Sequence, residues 1–332
     1  MLQRVGVRGK IFAVVAVPLI VLIIAATSLV LTSVASVQEA NQFSTLVGLN
    51  AEQSRTVSSL QAERNAALEY IWGVQSNQRT TDLKAAFEDA ARATDEQYFN
   101  FSERLRDVNT EILEPGVGLA VDAAIVAREE LSALRARVFT EAISLAEIDR
   151  DYSAIADPVE SLYTDASLGL TDRTSAAPMH AYGLVSEFRA GLQRERDFGF
   201  IVVTKRQQVG AANSIETAQL TSIFPVTEVA RSQAVPAVAA LNNDSWVVPP
   251  FNQSQSQGSS FVFMRSDLSG PEFDDALRDI NPVRWVEAAN DEYAALDSLS
   301  TAVRQEMVNV TDTARVGALR DAAFTIAMAL LG

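Results

Sequence analysis

Leu60-Gln61-Ala62-Glu63-Arg64 returns later in the chain as Leu192-Gln193-Arg194-Glu195-Arg196, so that both pentads read L-Q-x-E-R. Around the first, Val57, Leu60, Arg64, Ala67, Leu68 and Ile71 recur at i, i+3, i+4 spacing, the period of one helix face. Around the second, Phe188, Leu192, Arg196, Gly199, Phe200 and Val203 do the same. Arg64 and Arg196 therefore fall within apolar stripes that a helical bundle would bury. A buried guanidinium needs a partner, because an unpaired buried charge is costly. Residue types leave two partners open. One is a protein carboxylate in a structural ion pair, with Glu63, Glu195 or another acid. The other is a bound anion, and the repetition of the pentad in a chain with no other obvious motif favours it.

The chain has 332 residues, 48% hydrophobic and only 7% aromatic, with 15 Gly and 10 Pro. That balance suits helices packed through Leu, Val and Ala. The net charge of −15 argues against a nucleic-acid partner, and it means that any anion site must be local. There is no cysteine, which excludes disulfides and thiolate metal sites.

Met1 to Lys10 carries Arg4, Arg8 and Lys10 and no acid, and Ile11 to Thr32 has no charge. Roughly 20 apolar residues cross a bilayer as a helix. The expected layout is a cytoplasmic N-terminus (1–10), a transmembrane helix (11–32) and an extracytoplasmic helical region (33–315), following the positive-inside rule. A cleaved signal peptide is the rival, with Ser33-Val34-Ala35 as its site, but the uncharged run exceeds the usual length of about 7–15 residues.

Further on, helices are expected from about Thr80 to Leu113, from about Leu119 to Asp149, from Asp157-Pro158, and from Pro178 through the second pentad to about Gln208. Another runs from about Ser214 to Leu241, interrupted near Pro225 and Pro236. Residues 242–270 read as a polar loop insertion, with a strand pair at Trp246-Val247-Val248 and Phe261-Val262-Phe263. Asn281-Pro282 is a helix start, Asn as N-cap and Pro at the first position. The helix it opens carries a heptad seam, Val286, Ala289, Tyr293, Leu296, Ser300, Val303, Met307, Val310 and Ala314. That seam points to a homodimer, and residues 316–332 read as the start of a second transmembrane helix, so that a two-pass receptor continuing past Gly332 is expected.

The first pentad with the Asn65-Ala66-Ala67-Leu68 that follows resembles the opening motif of the nitrate- and nitrite-sensing (NIT) domain family. The second pentad, Pro282-Val283-Arg284-Trp285 and the flanking membrane segments extend the resemblance from about Gln53 to about Arg315. It implies an all-α fold of antiparallel helices in two stacked four-helix bundles, one holding the Arg64 helix and the other the Arg196 helix, preceded by one transmembrane helix. It implies an input module of a bacterial receptor, often a sensor histidine kinase, with nitrate or nitrite as ligand. A chemotaxis-type receptor and a ligand-free helical stalk are the alternatives.

The ligand candidates are Arg64 and Arg196, then Gln61 and Gln193 as amide donors, with Arg231 a distant third. Arg194 lies two residues from Arg196 and points away from it. His180 is the only histidine and has no second ligand type around it. No phosphate loop, nucleophile elbow or metal motif is present, so neither catalysis nor a cofactor is expected of this chain.

Overall fold

The computed structural model describes residues 7–111, 115–170, 173–210, 213–241, 259–270 and 273–331. Among them every regular element is helical. The order is α1 (Val7–Gly48), α2 (Asn50–Gln75), α3 (Thr81–Arg106), α4 (Pro115–Val126), a 3₁₀ turn (Ala127–Glu130), α5 (Leu131–Phe139), α6 (Leu145–Glu160), α7 (Leu162–Leu168), α8 (Arg173–Val209), α9 (Ser214–Ala240), α10 (Ser259–Asp267), α11 (Phe273–Asp279) and α12 (Pro282–Leu331).

Two helix groups share one hydrophobic core. In the first, α2 packs on α3 and α6, with α4 and α5 closing it. In the second, α8 packs on α9 and α12, with α10 and α11 laid across. The groups meet where α8 touches α2, α6 and α7. Close approach between α8 and α12 depends on Gly199. A Cβ there would stand 2.6 Å from the Trp285 ring, which is itself fully buried. The indole Nε1–H donates to the Arg196 carbonyl at 3.0 Å, so the tryptophan locks α12 onto the helix of the second pentad.

Helix ends follow local chemistry. Asn77, at φ +55°, ends α2 in the left-handed region that Asn tolerates. A capping box, Ser144 with Glu147, starts α6, and the Asn213–Glu216 pair does the same for α9. Asn281 Oδ1 accepts from the Val283 and Arg284 amides, the expected start of α12.

Several expectations are corrected. The helix expected over 119–149 is broken into α4, a 3₁₀ turn and α5, and Glu141 at φ +57° turns the chain into α6. Pro158 does not open a helix but sits in the last turn of α6. The carbonyl its missing N–H leaves free belongs to Ala154, which faces solvent. Pro178 is likewise internal, because α8 already begins at Arg173, and α9 runs unbroken through Pro225 and Pro236. The proposed strand at Phe261-Val262-Phe263 is helix α10, whose Phe261 is fully buried on Trp285 with ring centroids 4.6 Å apart. Phe261 thus anchors α10 to the core, while Ser260, Phe263, Ser266 and Asp267 stay exposed. Trp246-Val247-Val248 lies outside the described residues. The seam on α12 holds to Met307 and then passes to Thr311, while Ala314 is exposed. A straight helix of 3.6 residues per turn drifts off a strict seven-residue repeat in this sense.

From Leu19 the chain is apolar enough to cross a membrane, with mean hydropathy 2.4. Leu19 to Ile24, Leu29 and Leu31 all stand exposed. α12 packs along α1 and stays helical to Leu331, with Phe324 and Met328 also exposed.

Candidate functional site

The apolar stripe of α2 carries Arg64 inward as its spacing predicts, and only 4% of the residue is exposed. Its ionic partner is Asp197 of α8, but the Nη2–Oδ2 distance is 3.7 Å, too long for a hydrogen bond. Arg64 Nε and Nη2 are both buried and make no hydrogen bond with the protein. A buried guanidinium with donors unmatched is the kind of group whose partner should be looked for outside the chain.

Arg196 explains the long contact. It lies one residue before Asp197 and takes Oδ1 with Nε at 2.8 Å and Nη2 at 2.7 Å. Its Nη1 donates to Asn290 Oδ1 at 3.0 Å. The structure therefore brings both predicted arginines to one carboxylate, from two sides, and Arg196 holds it more tightly. Burial raises the Asp197 carboxyl above its ordinary value, against the pull of Arg196 and Arg64 and a hydrogen bond from Gln193.

The two arginines line different spaces. Arg196 lines a cavity of 390 Å³ with Phe200, Val283 and Val286. Arg64 lines one of 270 Å³ between α2, α6, α8 and α9, together with Arg194, Asp157, Glu160, Glu187 and Gln233. The turn that takes Arg194 away from Arg196 is what carries it to the Arg64 cavity. It is held there by Asp149 of α6, fully buried, whose Oδ2 accepts from Arg194 Nε at 2.9 Å and Nη2 at 2.7 Å. Gln219 of α9 donates to the same oxygen at 2.8 Å.

A signal for Arg194 was present in Glu187-x-x-Ala190-Gly191-x-x-Arg194, a helix face with small residues at its centre. The need for Gly191 is steric: a Cβ would meet Thr227 Oγ1 of α9 at 2.8 Å. This close approach walls the cavity with Val226, Val229 and Ala230.

The remaining candidates lie elsewhere. Gln61 is buried and donates to Glu160 Oε1 at 3.3 Å, on the far side of Glu160 from the cavity. Arg231 sits with Glu228 on a separate groove between α9 and α10. His180 Nδ1 lies 3.1 Å from Ser167 Oγ.

The acids of the two pentads also point inward. Glu63 is fully buried and accepts from Arg135 Nε at 2.7 Å, from Arg135 Nη2 at 2.9 Å and from Tyr152 Oη at 2.7 Å. Burial works against the Arg135 charge, yet Glu63 and Asp95 together hold that guanidinium above its ordinary value. Glu195, equally buried, has Arg265 of α10 only at 3.5 Å, and its Oε2 is without a hydrogen bond. Burial pushes the Glu195 carboxyl up to about 8, with Arg265 and Thr227 opposing and Glu292 adding to the rise.

What the geometry defines is an all-helical module with an under-paired arginine facing a cavity where its two helix groups meet. Comparison with known proteins bears on the fold and the family. The family model described as nitrate and nitrite sensing (NIT) matches residues 55–308, and the chain belongs to that family. The solved structure of the NasR transcription antiterminator is similar in fold, with a TM-score of 0.57 at 17% identity over 89% of this chain and 80% of that one. No curated protein matches the sequence.

Proposed function

We propose that this chain is the extracytoplasmic input region of a membrane receptor, and that it binds nitrate or nitrite in the cavity lined by Arg64 and Arg194. Family membership supports the ligand class. The observation that carries the site is the pair of unmatched donors on buried Arg64. A planar oxyanion fits the planar fork of a guanidinium. Arg196, by occupying Asp197, keeps the internal competitor 3.7 Å away.

The exposed apolar run from Leu19 and the Arg4, Arg8, Lys10 flank support a membrane anchor with its N-terminus inside. A sensor histidine kinase as the parent, and a homodimer, follow from the kind of receptor that such modules serve. The antiparallel pair α1 and α12 supplies the route by which a shift at the cavity would reach the membrane, since α12 packs against both α8 and α1.

Isothermal titration of sodium nitrate into the detergent-solubilised chain tests the site. Arg64→Ala should weaken binding roughly ten- to a hundredfold, the worth of one charge-assisted hydrogen bond or more. Arg64→Lys should not restore it, because an ammonium lacks the fork. Wild-type affinity in Arg64→Ala would return this arginine to a structural role. Topology is checked separately. The chain has no cysteine, so Leu119→Cys, at a position 71% exposed on α4, places a single thiol. A membrane-impermeant maleimide should label it in intact cells, and labelling only after lysis would put the domain inside.

A further inference from the structure

The cavity around Arg64 is acidic. Two guanidiniums, Arg64 and Arg194, face three carboxyl groups, Asp157, Glu160 and Glu187, on its wall. Arg194 is already engaged from behind by Asp149. An oxyanion entering this space adds a further negative charge where dielectric screening is weak, and the site must shed charge elsewhere to accept it.

Asp157 and Glu160 are the groups placed to do so. They lie three residues apart on one face of α6, and both open on the cavity. Asp157 is exposed and Glu160 half-buried, because what lies in front of them is the cavity itself. A ligand filling it would exclude solvent from both. One oxygen of Glu160 accepts from Gln61 Nε2, which leaves Oε2 to carry a proton.

Resting on the placement of the ligand at Arg64, we infer that oxyanion binding is coupled to the uptake of one proton by the Asp157–Glu160 pair. The proton comes from solvent and converts one carboxylate to a carboxylic acid. The site gains one anion and one proton, with no net change of charge. The new O–H can donate to the oxyanion, so a repelling group becomes a ligand.

The neighbours are consistent with this from every side. Arg64 and Gln61 approach Glu160 from α2, Arg194, Glu187 and Arg189 from α8, and Asp157 from α6 itself, while Asp149 acts on Asp157. Of the residues α9 adds to the lining, Gln233 is polar and none is charged. Across the cavity wall α12 presents Tyr293. Even with the cavity open, the Glu160 carboxyl is pushed up to about 7 by burial first and by Asp157 second, against Arg64, Gln61 and Arg194. Glu187 is raised as well, chiefly by burial.

Nitrate titration of the solubilised whole chain, repeated in buffers of different ionisation enthalpy, counts the protons. The expected result is uptake approaching one proton per nitrate above about pH 7.5, with Kd rising about tenfold per pH unit there and levelling off below about pH 6. Glu160→Gln should lose both the uptake and most of the pH slope. The proton count on the wild type stands alone if that variant fails to fold. Binding that is lost in Arg64→Ala, yet in wild type has the same enthalpy in every buffer and the same Kd from pH 6 to pH 8.5, would overturn the coupling and leave the site intact. No nitrate heat from the wild type at any pH would overturn both.

Discussion

The two L-Q-x-E-R pentads differ at one position and are used in opposite ways. In the first, the acid is satisfied and the base is not. Glu63 accepts three hydrogen bonds, while Arg64 keeps Nε and Nη2 without a protein partner. In the second, the base is satisfied and the acid is not. Arg196 is half-buried between Asp197 and Asn290, while Glu195 leaves Oε2 bare. The acid in each case meets an arginine from a later helix, Arg135 at 72 residues and Arg265 at 70. The difference arises beyond the motif. Asn65 follows the first arginine and Asp197 follows the second, so only Arg196 has a carboxylate on its own helix within reach. A motif specifies which face of a helix a residue occupies, and its neighbours decide whether it is left free to bind.

Removing the acids should break this comparison most visibly. Glu63→Ala leaves Arg135 with Asp95 as its one carboxylate beside the Ala91 carbonyl and strands the buried Tyr152 hydroxyl, a loss of about 3–5 kcal/mol in chemical denaturation of the solubilised chain. Glu195→Ala should cost less, about 1–2 kcal/mol, because Arg265 retains its bond to Glu228. Equal losses would mean that the two clamps are equally built.

A smaller effect is expected three residues past each arginine. Ala67 is fully buried, whereas Gly199 lies against Trp285. Gly199→Ala should cost about 1–3 kcal/mol by forcing the indole away. Ala67→Gly should cost about 1 kcal/mol, from helix propensity with a little lost packing. A neutral Gly199→Ala would show that α12 can slide on α8.

The pentads differ in pH dependence too. The folded Glu195 carboxyl titrates near 8, above its ordinary 4.5, so the folded chain holds that proton more firmly than the unfolded one. Stability should then fall as pH rises across that window. Glu195→Gln should flatten the fall in urea midpoint between about pH 5 and about pH 8.5. An unchanged slope would place the proton elsewhere, with Glu292 the next group to try, since its Oε2 is also bare.

Much of the fold was legible because it rests on local rules. The helix period placed both arginines, and Asn281-Pro282 marked the start of α12. Prolines misled where a helix could absorb them: Pro158 frees only a solvent-facing carbonyl, and Pro178 falls inside an already started helix. Phe261 was misjudged because the polar run before it masks one aromatic that fills the space over Trp285. At the proposed site, the spacing carried Arg64 inward as expected, while the helix-face signal around Gly191 gave no partner for Arg194. Arg194 owes its position to Asp149, 45 residues earlier, and no spacing rule connects them. The adjacency of Asp197 to Arg196 is in the sequence, but the 3.7 Å that separates its other oxygen from Arg64 is set by how α2 packs on α8.

On the proposed reading these matched arginines divide the labour, Arg64 binding the ligand and Arg196 restraining Asp197. Calorimetric nitrate titration of wild type, Arg64→Ala and Arg196→Ala, side by side at one pH and ionic strength, tests it most directly. Arg64→Ala should lose roughly ten- to a hundredfold in affinity. Arg196→Ala should lose only about two- to fivefold, through Asp197 released to compete for Arg64. Equal losses, or a larger loss in Arg196→Ala, would contradict the account and move the ligand to the cavity that Arg196 lines.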